Sequence, residues 1–343
     1  MNFENCLPWQ KSALTEWQRH ADRLGHAYLW VAAPDFGLKV IVQAWLEGFL
    51  CQSSMHRPCG VCASCHWLQA DTHPDVFWLR PETNSRVIKI DSIRDLCNFS
   101  EKTSALGGYR FIIIEAAECL NAFAANALLK TLEEPGEKTV LILLTHQPAQ
   151  LTATIRSRCQ HWIIAPVGRK QGVDWLQQVT AVSLQQASRA LALAHNSPLK
   201  AKAWLESGWL DVVERFWRHL TELMLKVIDP VSLAILYKEH CTTPVLAEHM
   251  LQWVEDLWHL GVLNEQALPG LLHHEELLAE YQRIIVAGLD LERLWRLWQR
   301  LLQTPLELAG NVQPLLWYEN LFIDFSGVCV VRRMGSGSMV MGR

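Results

Sequence analysis

Four of the chain's ten cysteines fall within fifteen residues, at Cys51, Cys59, Cys62 and Cys65, while Cys6, Cys97, Cys119, Cys159, Cys241 and Cys329 are scattered singly. The two-residue gaps between Cys59, Cys62 and Cys65 let three thiolates converge on one ion from a tight turn, and Cys51, eight residues upstream, completes a tetrahedron. Sulfur in all four positions leaves none open for water or substrate, so the chemistry expected is a structural zinc. The alternative is four reduced, unliganded thiols. His56, His66 and His73 are near enough in sequence to replace a cysteine, although histidines in such places are more often solvated or capping.

A second stretch, Tyr28 to Lys39, has the grammar of phosphate binding without its wording. Leu29, Trp30, Val31 and Ala32 make an apolar run fit for a buried strand, a Pro/Gly turn follows, and a helical pattern runs from Leu38 to Leu50. Laid on Gly-x4-Gly-Lys-[Ser/Thr], the first glycine falls on Ala32, the second on Gly37, the lysine on Leu38 and the hydroxyl on Lys39. Leu38 supplies no cation and Lys39 no hydroxyl, so no functional ATP site is expected.

The elements that must hold these residues alternate between strand and helix as far as Pro166. A surface helix is predicted over 9–23, then the strand and helix around the loop. Strands are predicted over 75–79, 87–90, 111–115, 140–145 and 160–164, with helices over 92–102 (Asp91 as N-cap), 120–134 and 150–156. Such alternation predicts βαβ crossovers and a parallel sheet. Beyond Gly168 only helical segments follow, over 174–179, 184–194, 198–205, 209–228, 231–239, 244–260, 273–287, 289–303 and 314–323, punctuated by Asn196-Ser197-Pro198, Ser207-Gly208, Asp229-Pro230 and Thr243-Pro244.

At 343 residues the chain is long for one core and suggests about two or three domains. Half the residues are hydrophobic. A net charge of −4 and a pI near 6.4 speak against a protein that grips nucleic-acid backbone unaided, because that contact is mainly counterion release by clustered Lys and Arg. No apolar run reaches the length of a membrane span and the amino terminus has no signal pattern, so a cytoplasmic protein is expected. Many of the sixteen tryptophans, such as Trp253, Trp258, Trp295 and Trp298, lie at helical spacing and read as helix-packing core or subunit interface.

Several stretches together resemble the AAA+ subunits of the bacterial sliding-clamp loader: Arg23-Leu24-Gly25-His26-Ala27, the cysteine quartet after the first helix, Ala125-Asn126-Ala127-Leu128-Leu129-Lys130-Thr131-Leu132-Glu133-Glu134-Pro135, and Ser157-Arg158-Cys159. The similarity is carried by motifs from about residue 6 to 166 and by arrangement thereafter. It implies an α/β AAA+ domain with a P-loop-like, parallel five-stranded sheet over residues 1–166, carrying the four-cysteine zinc module over 51–65. A small helical lid-like domain over 167–207, a helical collar over 208–326 and a flexible tail over 327–343 would follow. In an ATP-hydrolysing member an Asp-Glu pair follows the third strand and an arginine stands in the small helical domain. Here Glu115 and Ala116 occupy the first places and Leu199 the second, with Lys200 one residue off, so the water-activating carboxylate is missing. Thr145 matches the polar residue that senses phosphate in active relatives and serves equally as a strand-end hydrogen bonder.

What the resemblance retains is Arg158, flanked by Ser157 and Cys159. In the family this arginine crosses the subunit boundary into a neighbour's ATP site, where an ever-ionised guanidinium stabilises charge developing on the γ-phosphate. Arg156 competes for that role. The resemblance therefore implies a non-hydrolysing clamp-loader subunit of the DNA polymerase III holoenzyme. Its partners would be ATPase subunits of the gamma/tau type and a clamp-opening delta subunit in a pentameric ring, with the sliding clamp and primer-template DNA reached through the complex. The alternatives are an ATP-hydrolysing subunit of the same family and a zinc-dependent nucleic-acid-binding protein.

Overall fold

Four largely apolar runs and one mostly exposed edge strand pair into one parallel sheet: β1 (Ala27–Val31), β2 (Val76–Leu79), β3 (Arg110–Ile114), β4 (Thr139–Thr145) and the edge strand β5 (Gln160–Ile163), in the order β2-β3-β4-β1-β5. The structure is a computed structural model, and it describes residues 6–18, 24–81, 87–239, 245–263, 272, 277–309 and 313–329. β3 and β4 are buried along their whole length, as continuous aliphatic runs covered on both faces must be. Register sets Leu29 beside Leu143 and Phe111 beside Val140. The helices are α1 (Gln10–Gln18), α2 (Leu38–Leu50), α3 (Ala63–Gln69), α4 (Ile90–Ser100), α5 (Ala122–Glu133) and α6 (Ala153–Arg156), followed by α7 (Arg169–Thr180), α8 (Leu184–Leu193) and α9 (Pro198–Ser207).

The chain divides into two compact units, residues 1–187 with 196–202, and residues 188–195 with 203–343. In the first, aliphatic residues of the sheet pack with Ile93, Leu96, Leu128 and Leu132 of α4 and α5. Tryptophans form a second cluster: Trp30 stands edge-on to Trp17 and Trp162 at 4.8 and 4.4 Å between ring centroids, and Trp45 lies 5.1 Å from Phe111. Trp17, Trp30, Trp45 and Phe111 are core and Trp162 is half-buried beside them; each buried large side chain stabilises the fold by about 1.5–3 kcal/mol. The second unit is built on α10 (Trp209–Met224), α11 (Pro230–Leu236), α12 (Val245–Leu263), α13 (Leu278–Gly288), α14 (Leu291–Ala309) and α15 (Pro314–Gly327). Trp217 and Trp253 are fully buried there, whereas Trp295 is 41% exposed and stacks on Trp298 at 4.8 Å. Among the described residues of this unit the sole β feature is a bridge between Leu289 and Cys329.

Several local expectations are corrected. The strand expected over 87–90 is a single parallel bridge, in which Ile88 N–H donates to the Cys119 carbonyl (2.8 Å), because α4 already begins at Ile90. Asp91 is consequently not the N-cap; it sits inside the first turn and pairs with Arg94 at 2.7 Å. The helix expected over 150–156 breaks into a 3-10 turn, Pro148–Gln150, and α6, which Thr152 caps by accepting the Ile155 N–H. α5 is capped by Asn121, which accepts from Ala124 N–H at 2.8 Å. Gly136, after the motif's proline, lies so close to the end of α4 that a Cβ there would overlap the Ser100 carbonyl. Of the expected tail, Val328 and Cys329 are buried and residues 330–343 lie outside the described residues, as do Arg23, Cys241 and 273–276. No described helix is long and apolar enough to cross a membrane.

Candidate functional site

The Sγ atoms of Cys51, Cys59, Cys62 and Cys65 all lie within 4.8 Å of one another. A Zn–S bond of about 2.3 Å requires S···S separations of about 3.8 Å in a tetrahedron, so the cluster needs little contraction to hold the ion. Cys51 closes α2, and Cys62 caps α3, its Sγ accepting from Cys65 N–H at 3.5 Å; α3 is the element the sequence reading missed. Cys51 Sγ accepts backbone N–H bonds from Ser53 and Cys59, both 3.4 Å. Burial raises the Cys62 thiol, but hydrogen bonds from the Gln52 and Cys65 backbone and from neighbouring thiols outweigh it and hold it down to about 6. Burial pushes Cys65 up to about 12. Cys62 is thus held low and Cys65 high, and it is the four-sulfur donor set, gathered within bonding reach of one ion, that fits a cation of zinc's preference. His73 is not part of it: its Nδ1 accepts from Asp75 N–H (3.1 Å), so Nε2 carries the proton to Ser64 Oγ (3.0 Å). His56 and His66 are exposed and stand outside the cluster.

The loop between β1 and α2 is filled by the chain itself. In a phosphate loop, backbone N–H groups converge on the ligand. Here the Phe36 and Gly37 carbonyls instead accept from the fully buried Gln10 amide, at 3.1 and 2.9 Å, and Trp9 Nε1 donates to Phe36 O at 3.1 Å. Gln10 Oε1 accepts the Leu7 N–H at 3.1 Å. Gly37 is left-handed (φ 87°), and a Cβ on it would lie 2.9 Å from Gln10 Nε2, 3.0 Å from Leu7 Cδ1 and 3.4 Å from Leu199 Cδ1. Leu199 therefore comes to the loop as an apolar filler. Ala32 and Leu38 are buried in the core, and Lys39 is exposed. Sequence reading missed Gln10. The signal was its place with Leu14 and Trp17, positions i, i+4 and i+7 on the buried face of α1, where an apolar residue belongs.

At the end of β3, Glu115 accepts from Arg80 Nε at 2.8 Å, and Arg80 also meets Asp71 at 3.0 Å. Ala116 takes a left-handed conformation (φ 50°) and presents no carboxylate. Thr145 is fully buried and its Oγ1 accepts the Gln147 N–H at 3.0 Å, while the next residue, His146, bonds the Ala32 carbonyl at 3.0 Å.

Arg158 lies between α6 and β5. Its Nε donates to Glu133 Oε1 at 2.6 Å, Nη2 contacts the same oxygen, and Nη1 donates to the Thr154 carbonyl at 2.9 Å. Ser157 Oγ donates to that carbonyl too, at 3.1 Å, and Cys159 is buried in the core, where burial pushes its thiol up to about 12. The triplet thus has one residue tying the turn, one anchored, and the arginine between them at the surface. Arg156 is half-buried, with its Nε out of solvent. Glu133, the partner that sequence reading did not single out, comes from the Leu132-Glu133-Glu134-Pro135 motif, so two separate motifs meet in space.

A parallel sheet in this order, a strand–loop–helix turn at the end of an interior strand and a helical second half define an α/β protein of the AAA+ type whose phosphate loop lacks its lysine. The sequence profile of the family described as "DNA polymerase III, delta subunit" matches residues 9–168. A Pseudomonas aeruginosa protein named DNA polymerase III subunit delta' is 34% identical over 293 residues, 82% of this chain and 84% of its own. One of the same name from Haemophilus influenzae is 36% identical over 268 residues, 78% of this chain and 77% of its own. Escherichia coli DNA polymerase III subunit tau is 33% identical over 138 residues, 40% of this chain and 21% of its own. The chain belongs to the delta' family of DNA polymerase III clamp-loader subunits.

Proposed function

We propose that this chain works in the clamp loader without hydrolysing ATP itself, and that it supplies Arg158 to the ATP site of a neighbouring subunit. The observation that carries the first half is the loop after β1. Its carbonyls face Gln10, Leu199 packs against it, and the lysine position is a buried leucine. With Glu115 paired to Arg80 and Ala116 in place of the general base, neither magnesium nor water has its usual ligand. Arg158 is the better trans-acting candidate than Arg156 because its side chain is 34% exposed and its guanidinium is held by Glu133 and the Thr154 carbonyl. On this reading the neighbour is an ATPase subunit of the gamma/tau type. Residues 208–326 serve as the collar of a pentameric ring with a clamp-opening delta subunit, and the complex places the sliding clamp on primed DNA.

We further infer that the cysteine cluster holds zinc, whose part is to cross-link the end of α2 to α3 and is structural. The test of the whole reading is to reconstitute the complex with Arg158→Ala. Ring assembly by size should be unchanged and DNA-stimulated ATP turnover lowered; trans-acting arginines are worth on the order of 10³–10⁵ in turnover at the site they serve. Normal turnover would refute the role. Micromolar binding and hydrolysis of ATP by the purified chain alone would refute the non-hydrolysing half.

A further inference from the structure

An arginine delivered to another subunit must be aimed before it arrives, and the contacts of Arg158 show how. A guanidinium offers five N–H groups in a rigid plane. Nε and Nη2 form its side-on pair, and both meet Glu133 Oε1. Nη1 spends one N–H on the Thr154 carbonyl, which Ser157 Oγ also holds. What remains is one N–H on Nη1 and one on Nη2, two donors for the oxygens of a phosphate. We propose that Glu133 is the positioning residue of Arg158: it occupies the Nε/Nη2 side of the guanidinium and so leaves the remaining Nη1 and Nη2 N–H groups for a neighbour's phosphate. The inference rests on the reading of Arg158 as the trans-acting arginine.

Two effects oppose each other here. Glu133 removes part of the net positive charge that attracts a phosphate, but it also replaces the conformational freedom of a long side chain with one direction. Glu133 is 51% exposed, so water screens its charge and weakens the repulsion it exerts on a phosphate. The orientational gain is not screened, and misplacing a reacting or stabilising group by about 1 Å can cost on the order of 100-fold in rate. The balance therefore favours aiming over repulsion.

The test is DNA-stimulated ATP turnover of the reconstituted complex, with kcat and KM for ATP measured separately and equal assembly confirmed by size. Glu133→Ala should lower the turnover that depends on Arg158 by roughly tenfold, with little change in KM. Glu133→Gln keeps an oxygen that can accept from Nε, and should recover most of that loss. The double variant Glu133→Ala/Arg158→Ala should match Arg158→Ala alone, because a residue acting only through Arg158 has nothing left to act on. Glu133→Ala as active as the parent or faster, beside an impaired Arg158→Ala, would overturn the inference and leave the arginine's role standing. Losses that multiply in the double variant would overturn it too. Normal turnover in Arg158→Ala would overturn both readings.

Discussion

Replacing Gln10 by methionine tests whether the loop after β1 is held shut by one side chain. Methionine keeps the length of glutamine but cannot donate to Phe36 O and Gly37 O or accept strongly from Leu7 N–H. The two carbonyls would not be orphaned, since Trp9 Nε1 still serves the first at 3.1 Å and Ile41 N–H the second at 3.1 Å. The penalty is therefore three net hydrogen bonds at about 1 kcal/mol each, without the larger cost of a buried unsatisfied carbonyl. Burial of the thioether in a site lined by Leu7 and Leu199 offsets about 1 kcal/mol. The balance is a local loss of about 2 kcal/mol, which should accelerate amide exchange over residues 36–41 by about 30-fold. Hydrogen exchange read by mass spectrometry on the full chain measures it. Unchanged exchange there would show that Trp9 and the backbone hold the loop without Gln10. In the same preparation a labelled ATP analogue should still fail to bind, because Leu38 offers no cation. Binding acquired through Gln10→Met alone would mean that the plug, and not the lost lysine, keeps nucleotide out.

Two further outcomes can be checked independently. The purified chain should carry about one zinc, and cobalt substitution should give thiolate-to-metal charge-transfer absorption that Cys51→Ser or Cys59→Ser weakens; a chain that folds with four titratable thiols and no metal would favour the unliganded alternative. Burial lowers the pKa of His73, so the unfolded chain takes up its proton first as the pH falls below about 6.5. The stability that neutral His73 contributes is thus fully present above that value and is lost on acidification through the lower folded pKa. Thermal midpoints between pH 7.5 and 5.5 should fall less in His73→Gln than in the parent, and equal falls would assign the acid sensitivity to other groups.

Features carried by neighbouring residues were legible from the chain alone. The cysteine spacing reports a local turn, the aliphatic runs of β3 and β4 report burial on both faces, and the loss of the lysine at Leu38 needs no coordinates at all. Element ends were less legible, because Asp91 competes with Lys89 for the start of α4 and the Ile88 bridge settles it through the distant Cys119.

By itself, then, the sequence determined a parallel sheet, a strand–loop–helix turn with Leu38 and Lys39 at the lysine and hydroxyl positions of a phosphate loop, a cluster of four cysteines and an arginine between Ser157 and Cys159. Only the tertiary structure decided what occupies and restrains those places. Gln10 reaches Phe36 across 26 residues, Arg158 reaches Glu133 across 25 and Arg80 reaches Glu115 across 35. Each of these partners is chosen by the order in which strands and helices stack, and a hydrogen bond acts over about 3 Å of space regardless of distance along the chain.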